Sequence, residues 1–282
     1  MRIPVLATGF TLAVALAGCA DIRVKEAHFI RPDKPGAAAL ERYSGEGITE
    51  LRLASADGAV LNGVLFAQPG ARATVLYFGG NMFHLDKHLE QALPLLAACG
   101  SNVAVFDYRG YGRSSGQPTV ANMQEDALAM FDAVDARDPG RVIVHGQSLG
   151  SFMAAHVAQA RPVLATVLET TATSAADLVS AQVPWYAWPF VRIDLEPGLR
   201  QVDNRTAAAR FQSATLVIAA GQDKTTPPRL GKKVFEAIPR QDKQLLILDD
   251  AGHDDALRAS GAQAAYCGFV QRVQAGASAG AR

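Results

Sequence analysis

The chain has 282 residues, 49% of them apolar, and its 27 basic and 27 acidic side chains balance to a formal net charge of zero. That length and apolar content suit one large domain or two ordinary ones. A balanced charge provides no field for gripping a phosphate backbone, so nucleic acid is not an expected partner; no uninterrupted apolar window is long enough for an internal membrane span.

In chain order, the first feature is Arg2 followed by an apolar run from Ile3 to Ala17 that ends in Leu16-Ala17-Gly18-Cys19. A basic start, an apolar run of that length and small residues at its end are marks of processing rather than of fold. Residues 1–18 therefore read as a signal peptide. The tetrapeptide resembles the lipobox of bacterial lipoproteins, which implies that Cys19 is diacylated and becomes the mature N-terminus. An ordinary cleaved signal peptide is the alternative. Two acyl chains, at about 0.8 kcal/mol per buried CH₂, make a durable membrane attachment. Ala20 rather than Asp follows the cysteine, as in lipoproteins sorted to the outer membrane. The expected location is thus the bacterial cell envelope, at the outer membrane facing the periplasm. Cys99 and Cys267 would then lie in an oxidising compartment, where disulfides persist. Residues 19–46, with Pro32, Pro35 and Gly36 and no periodicity, are expected to form a lipid-anchored tether.

The pattern changes at residue 47. Ile48–Ala54 and Ala59–Ala67 flank Asp57-Gly58, a hairpin signal. Apolar runs then alternate with helical patterns. Strands are predicted at Thr74–Phe78, Val103–Phe106, Val142–His145, Leu164–Leu168, Leu216–Ala220 and Leu245–Leu248. Helices are predicted at Leu85–Ala98, Val120–Ala136 and Ser148–Ala160. Short apolar strands separated by helices imply a mostly parallel central sheet covered by helices on both faces, here with an antiparallel opening hairpin. One domain is expected over 47–273. The stretch from about 170 to 213 holds Trp185, Tyr186, Trp188 and Phe190 and is too long for a bare loop, so it reads as a lid insertion. Those aromatics are expected to shape an apolar acyl pocket over the nucleophile, with packing of the lid or contact with a membrane as alternatives. Residues 274–282 read as a disordered tail.

Two stretches match Gly-x-Ser-x-Gly: Gly112-Arg113-Ser114-Ser115-Gly116 and Gly146-Gln147-Ser148-Leu149-Gly150. The pattern alone is weak. It works where a strand ends abruptly, the serine sits on a strained turn and a helix follows, so that the hydroxyl projects above the sheet. Ser148 has a strand pattern before it and a helix former after it. Ser114 lies well past its strand and is followed by Gln117-Pro118. Ser148 is the chosen nucleophile.

A serine hydroxyl needs a positioned base. His253 follows the last predicted strand. His145 lies inside a strand, His156 lies mid-helix, and His28, His84 and His88 come too early. The base needs a carboxylate to hold its tautomer. Asp223, at the end of the penultimate strand, is the choice, with Glu169 one strand earlier as the rival. The tetrahedral oxyanion needs two backbone N–H donors. Leu149, the residue after the nucleophile, should supply one. Asn81 in Gly79-Gly80-Asn81-Met82 is preferred over Met82 for the other. His84 and His88 are four apart on one helical face but lack a third ligand, so no metal site is expected.

Together, Gly146-Gln147-Ser148-Leu149-Gly150, Gly221-Gln222-Asp223 and Gly252-His253 resemble the triad motifs of the α/β-hydrolase superfamily. Asp107-Tyr108-Arg109-Gly110-Tyr111-Gly112-Arg113-Ser114-Ser115-Gly116-Gln117-Pro118 resembles the branch of serine-aminopeptidase-like hydrolases and small membrane-attached depalmitoylating enzymes. The resemblance spans about residues 48–272. It departs from the family at Gly79-Gly80, where His-Gly is usual. In the resembled fold the helix ending near Cys99 and the last helix, holding Cys267, cover one face of the sheet, which implies a disulfide between them; two buried free thiols are the alternative. The activity implied is cofactor-free hydrolysis of an ester or thioester of an apolar acyl group. A peptidase on the same fold and a silent envelope interaction protein are the alternatives.

Overall fold

The computed structural model describes residues 20–33 and 45–280 of the chain, leaving Cys19, residues 1–18, part of the expected tether and the last two residues outside the description. The strands are β1 (Ala20–Val24), β2 (Ile48–Ala54), β3 (Val60–Phe66), β4 (Thr74–Phe78), β5 (Asn102–Phe106), β6 (Val142–Gln147), β7 (Ala165–Glu169), β8 (Val191–Leu195), β9 (Ala214–Ala220) and β10 (Lys243–Leu248). The helices are α1 (Leu85–Ala97), α2 (Val120–Asp135), α3 (Leu149–Ala160), α4 (Ala175–Gln182), α5 (Pro197–Arg200), α6 (Asn204–Ala208), α7 (Pro228–Ala237) and α8 (Ala262–Gly280).

Eight strands form one sheet in the order β10-β9-β7-β6-β4-β5-β3-β2. Only β3 runs against the rest, pairing antiparallel with both β2 and β5. The central strands are short and apolar because both faces are covered. Alternate residues divide between two cores. Leu76, Phe78, Val142, Val144 and Val217 pack with α2, α3 and α7 on one face. Val75, Tyr77, Ile143, Val167 and Ile218 pack with α1 and α8 on the other.

The shared face of α1 and α8 brings together the cysteines that follow α1 and lie within α8. Cys99 and Cys267 form a disulfide, with their Cα atoms 4.8 Å apart and a separation of 168 positions in sequence. Closing so long a loop restricts the unfolded chain by about 5 kcal/mol in the chain-entropy view. Replacing both cysteines by serine should therefore lower the melting temperature by roughly 10–20 °C for a domain of this size. Calorimetry of the oxidised and doubly substituted proteins measures it; equal midpoints would contradict the stabilising role.

The stretch 107–118 that contains Ser114 is a compact turn fixed from inside. Arg109 donates from Nε to Asp126 Oδ2 at 2.8 Å and from Nη2 to Asp126 Oδ1 at 2.7 Å, and it also pairs with Asp57. Ser114 Oγ donates to the Asp107 carbonyl at 2.8 Å and accepts from the Asn62 N–H at 2.9 Å. That hydroxyl is buried and engaged in holding the turn to β3.

Two expectations need correction. The described part of 19–46 is not a free tether. β1 pairs in parallel with β8, and Glu26 accepts from the Val120 N–H at the start of α2 at 2.7 Å. The pairing joins segments far apart in sequence, so no local periodicity announces it. The tail is not disordered over 274–280 either, because α8 continues to Gly280. Its alanines favour helix, and buried Val273 and Gln274 hold it, the latter donating to Ser101 Oγ at 2.6 Å.

Candidate active site

β6 ends at Gln147 and α3 begins at Leu149, which leaves Ser148 alone to make the turn. Its φ of 52° and ψ of −115° lie in a region that non-glycine residues rarely occupy. Such strain persists only where the surroundings enforce it. Here the flanking glycines permit close packing: a Cβ at Gly146 would collide with the Gly150 carbonyl, and one at Gly150 with the Phe78 carbonyl. The Ser148 N–H is tied to the Glu169 carbonyl at 2.9 Å. The hydroxyl therefore stands at the carboxyl end of the sheet, at the N-terminus of α3.

Asp223 and His253 arrive on the loops after β9 and β10. His253 Nε2 lies 2.8 Å from Ser148 Oγ, and His253 Nδ1 lies 2.7 Å from Asp223 Oδ2. Asp223 is buried, and its carboxylate is saturated with donors. Oδ1 accepts from the Thr225 and Thr226 N–H groups, both at 2.8 Å. Thr226 Oγ1 lies 2.6 Å from Oδ2 and 2.9 Å from the Thr170 carbonyl oxygen. Thr226 is a site residue that the sequence reading passed over. The signal was present in Asp223-Lys224-Thr225-Thr226, where an Asp side chain can cap the amides two and three residues on.

The electrostatics follow from these contacts. Burial works to lower the His253 pKa, but the hydrogen bond and charge of Asp223 outweigh it and hold the imidazole above its usual value. Burial works to raise Asp223, and the hydrogen bonds from His253 and Thr226 outweigh it, keeping the carboxyl below its ordinary value. An ionised carboxylate thus faces an imidazole that readily accepts a proton. That arrangement can deprotonate a serine hydroxyl.

Glu169, the rival carboxylate, is taken up elsewhere. His145 Nε2 lies 3.0 Å from Glu169 Oε2, and His145 Nδ1 lies 3.3 Å from the Tyr266 hydroxyl. All three are buried. His84 is likewise engaged, with Nε2 2.9 Å from Asp33 Oδ1 and Nδ1 2.9 Å from the Met82 carbonyl. Among the described residues no group of three or more His, Cys, Asp or Glu side chains is placed to hold a metal.

The loop after β4 lies beside the nucleophile. A Cβ on Gly80 would stand 3.8 Å from the Ser148 Cβ. Leu149 opens α3, so its N–H is one of the first-turn donors without an intrahelical partner. Asn81 is fixed by its side chain, whose Oδ1 accepts from the Tyr111 hydroxyl at 3.0 Å and from the Arg31 N–H at 3.2 Å. The Tyr108 hydroxyl also donates to the Gly79 carbonyl, at 2.8 Å. These contacts, two of them from the 107–118 turn, brace the loop in a chain that has Gly79 where the resembled family has histidine.

A cavity of about 890 Å³ opens over Ser148, lined also by Asn81, Leu149, Glu169 and His253. Its apolar wall comes from Phe29 of the N-terminal segment, Phe83 and Leu95 near α1, Phe152 of α3, and Leu178 and Val179 of α4. The stretch 170–213, expected to form a lid, thus contributes through α4. The expected aromatics do not: Trp185, Tyr186 and Phe190 are 84%, 64% and 61% exposed and line no part of the cavity. Density of aromatics suggested burial, but a 3-10 turn from Trp185 to Phe190, with Pro184 before it and Pro189 within it, carries them outward. The side chain of Trp188 is outside the description.

A family profile described as serine aminopeptidase, S33, matches residues 69–193. An uncharacterized protein of Mycobacterium tuberculosis is 30% identical over 204 residues, which cover 71% of this chain and 70% of that one. The Arabidopsis thaliana α/β-hydrolase domain-containing protein WAV2 is 26% identical, with the same two coverages of 71% and 70%. The chain belongs to the α/β-hydrolase superfamily. Solved structures share the architecture. A Pyrococcus furiosus esterase superposes with a TM-score of 0.65 at 17% identity, covering 80% of this chain and 93% of its own. Acetyl xylan esterase 1 of a Thermoanaerobacterium species superposes at 0.63 and 18% identity, covering 88% and 91%. As a member of this superfamily the protein is a hydrolase, and no helix among its described residues is long and apolar enough to cross a membrane.

Proposed function

We propose that the protein is a serine hydrolase that cleaves an ester or thioester of a mainly apolar acyl group through Ser148, His253 and Asp223. The observation that carries this reading is the continuous chain from Ser148 Oγ through both nitrogens of His253 to Asp223, at 2.8 and 2.7 Å. His253 Nε2 takes the hydroxyl proton as Ser148 Oγ attacks the acyl carbonyl. The N–H groups of Leu149 and Asn81 hold the oxyanion. His253 then gives the proton to the leaving group, and a water deprotonated by His253 releases the acyl chain and restores the serine. No step calls for a cofactor.

An ester substrate is favoured by the esterase neighbours and by the apolar wall of the cavity. Its volume lies within the range of small-molecule sites. Lengthening a p-nitrophenyl ester by two to four methylenes should raise kcat/KM about 15- to 200-fold, at roughly 0.8 kcal/mol per buried CH₂. Flat values from acetyl to octanoyl would contradict an acyl pocket. The family description favours a second reading, a peptidase. Aminoacyl amides in the same panel separate the two, since a peptidase would turn them over at rates comparable with the esters.

The proposed setting is the bacterial envelope, with Cys19 acylated and the domain facing the periplasm from the outer membrane. The lipobox-like Leu16-Ala17-Gly18-Cys19 supports it, and the Cys99–Cys267 disulfide accords with an oxidising compartment.

A further inference from the structure

The 3-10 turn from Trp185 to Phe190 is the largest outward-facing aromatic feature among the described residues. Trp185, Tyr186 and Phe190 stand mostly free of the protein, and the rings of Trp185 and Tyr186 meet edge to face at 6.0 Å. Soluble proteins scatter single exposed apolar side chains; several large ones within six positions mark an interaction surface.

What covers this surface follows from the register of the small parallel sheet. β1 and β8 pair with Ala20 opposite Val191. Val191 directly follows Phe190, and Ala20 directly follows Cys19. One peptide unit spans about 3.8 Å, so the residue proposed to carry the acyl chains is one step from the strand position beside the aromatic turn. The two-stranded sheet sets Ala20, the residue after the proposed anchor, opposite Val191 at the end of the aromatic turn. Ile22 on β1 is also exposed. One end of the sheet adjoins the active site, because Val24 closes β1 and lines the cavity; α4, which supplies Leu178 and Gln182 to the cavity, ends three residues before Trp185. Met82 lines the cavity and is 56% exposed, so it lies at the rim.

We propose that the turn Trp185–Phe190 is a membrane-docking face, which seats the lid on the bilayer next to the lipid anchor and opens the cavity toward acyl chains held in that bilayer. Trp and Tyr are the side chains favoured at the membrane–water boundary. The proposal rests on the anchor at Cys19, and it adds that the domain does not swing freely beneath that anchor. The β1–β8 pairing sets its orientation.

The chain contains only two tryptophans, Trp185 and Trp188, both within this turn, so intrinsic tryptophan emission reports the lid alone. Full-length protein purified from bacterial membranes is reconstituted into phosphatidylethanolamine–phosphatidylglycerol vesicles with or without bromine on the acyl chains. Vesicle-bound protein should lose roughly half its emission to the brominated lipid, as expected for indoles at interfacial depth. The Tyr186→Asp, Phe190→Asp double variant should still float with the vesicles, keep its circular dichroism spectrum and recover most of the emission. Protein that floats but is not quenched would overturn the docking face while leaving the anchor and the hydrolase reading standing. That holds also if it migrates as a dimer, which would assign the turn to a second copy. Protein that does not float would overturn anchor and docking together. Quenching unchanged by the double variant would show that the turn does not seat the lid.

Discussion

Replacing Ser148 by alanine should lower kcat by at least about 10⁴-fold, because nucleophile, base and carboxylate act as a unit. The Ser148 hydroxyl lies 2.8 Å from His253 Nε2, and in the proposed reading it is the group that takes the acyl chain. The control is Ser114→Ala. Ser114 lies in the other Gly-x-Ser-x-Gly match, but its hydroxyl is spent on the Asp107 carbonyl and the Asn62 N–H. Its loss leaves a buried donor without a partner, at a cost of about 1–3 kcal/mol of stability. The kcat of Ser114→Ala should stay within a few-fold of wild type at temperatures where the variant is folded. Steady-state kinetics on an activated ester checks both, and equal losses at the two serines would contradict the assignment.

Asp223→Asn should cost about 10³- to 10⁴-fold in kcat, for a reason visible in the hydrogen bonds. Oδ1 of residue 223 accepts from two backbone N–H groups, those of Thr225 and Thr226. An asparagine keeps its carbonyl oxygen on those donors and so turns its NH₂ toward His253 Nδ1. That nitrogen must then accept, which places the ring proton on Nε2, where it cannot take one from Ser148. The pH profile should change as well. Asp223 raises the His253 pKa, and the base works only when neutral, so wild-type kcat/KM falls as pH drops through that raised value. Removing the charge lowers the His253 pKa, and the acid limb of the residual activity should move to lower pH. A limb that stays in place would mean that it reports another group.

The sheet was legible in the sequence because its strands are short apolar runs between helices. β2 and β4 have the predicted ends, and the other predicted strands differ by one or two residues at one end or both. The choice of Ser148 over Ser114 rested on the same local grammar of strand, glycine-flanked turn and helix. Asp223 and His253 were legible as residues on the loops after two adjacent strands, and the structure places His253 against Ser148 and Asp223 behind His253. What stayed hidden depends on contacts between distant segments. Nothing in Asp21-Ile22-Arg23 says that it will pair with Arg192-Ile193-Asp194, and nothing in Phe29 or Arg31 marks them as wall and brace of the cavity. The lid aromatics misled because composition reports how much apolar surface a segment carries but not which way a rigid, proline-bound turn directs it.

The most direct measurement is covalent labelling of the intact protein with a fluorophosphonate, followed by mass analysis of its peptides. One adduct on Ser148, lost in His253→Ala at the same exposure time, is the predicted result. Label on Ser114 or another serine, or a folded protein that turns over esters without labelling at Ser148, would contradict nucleophilic catalysis at this site.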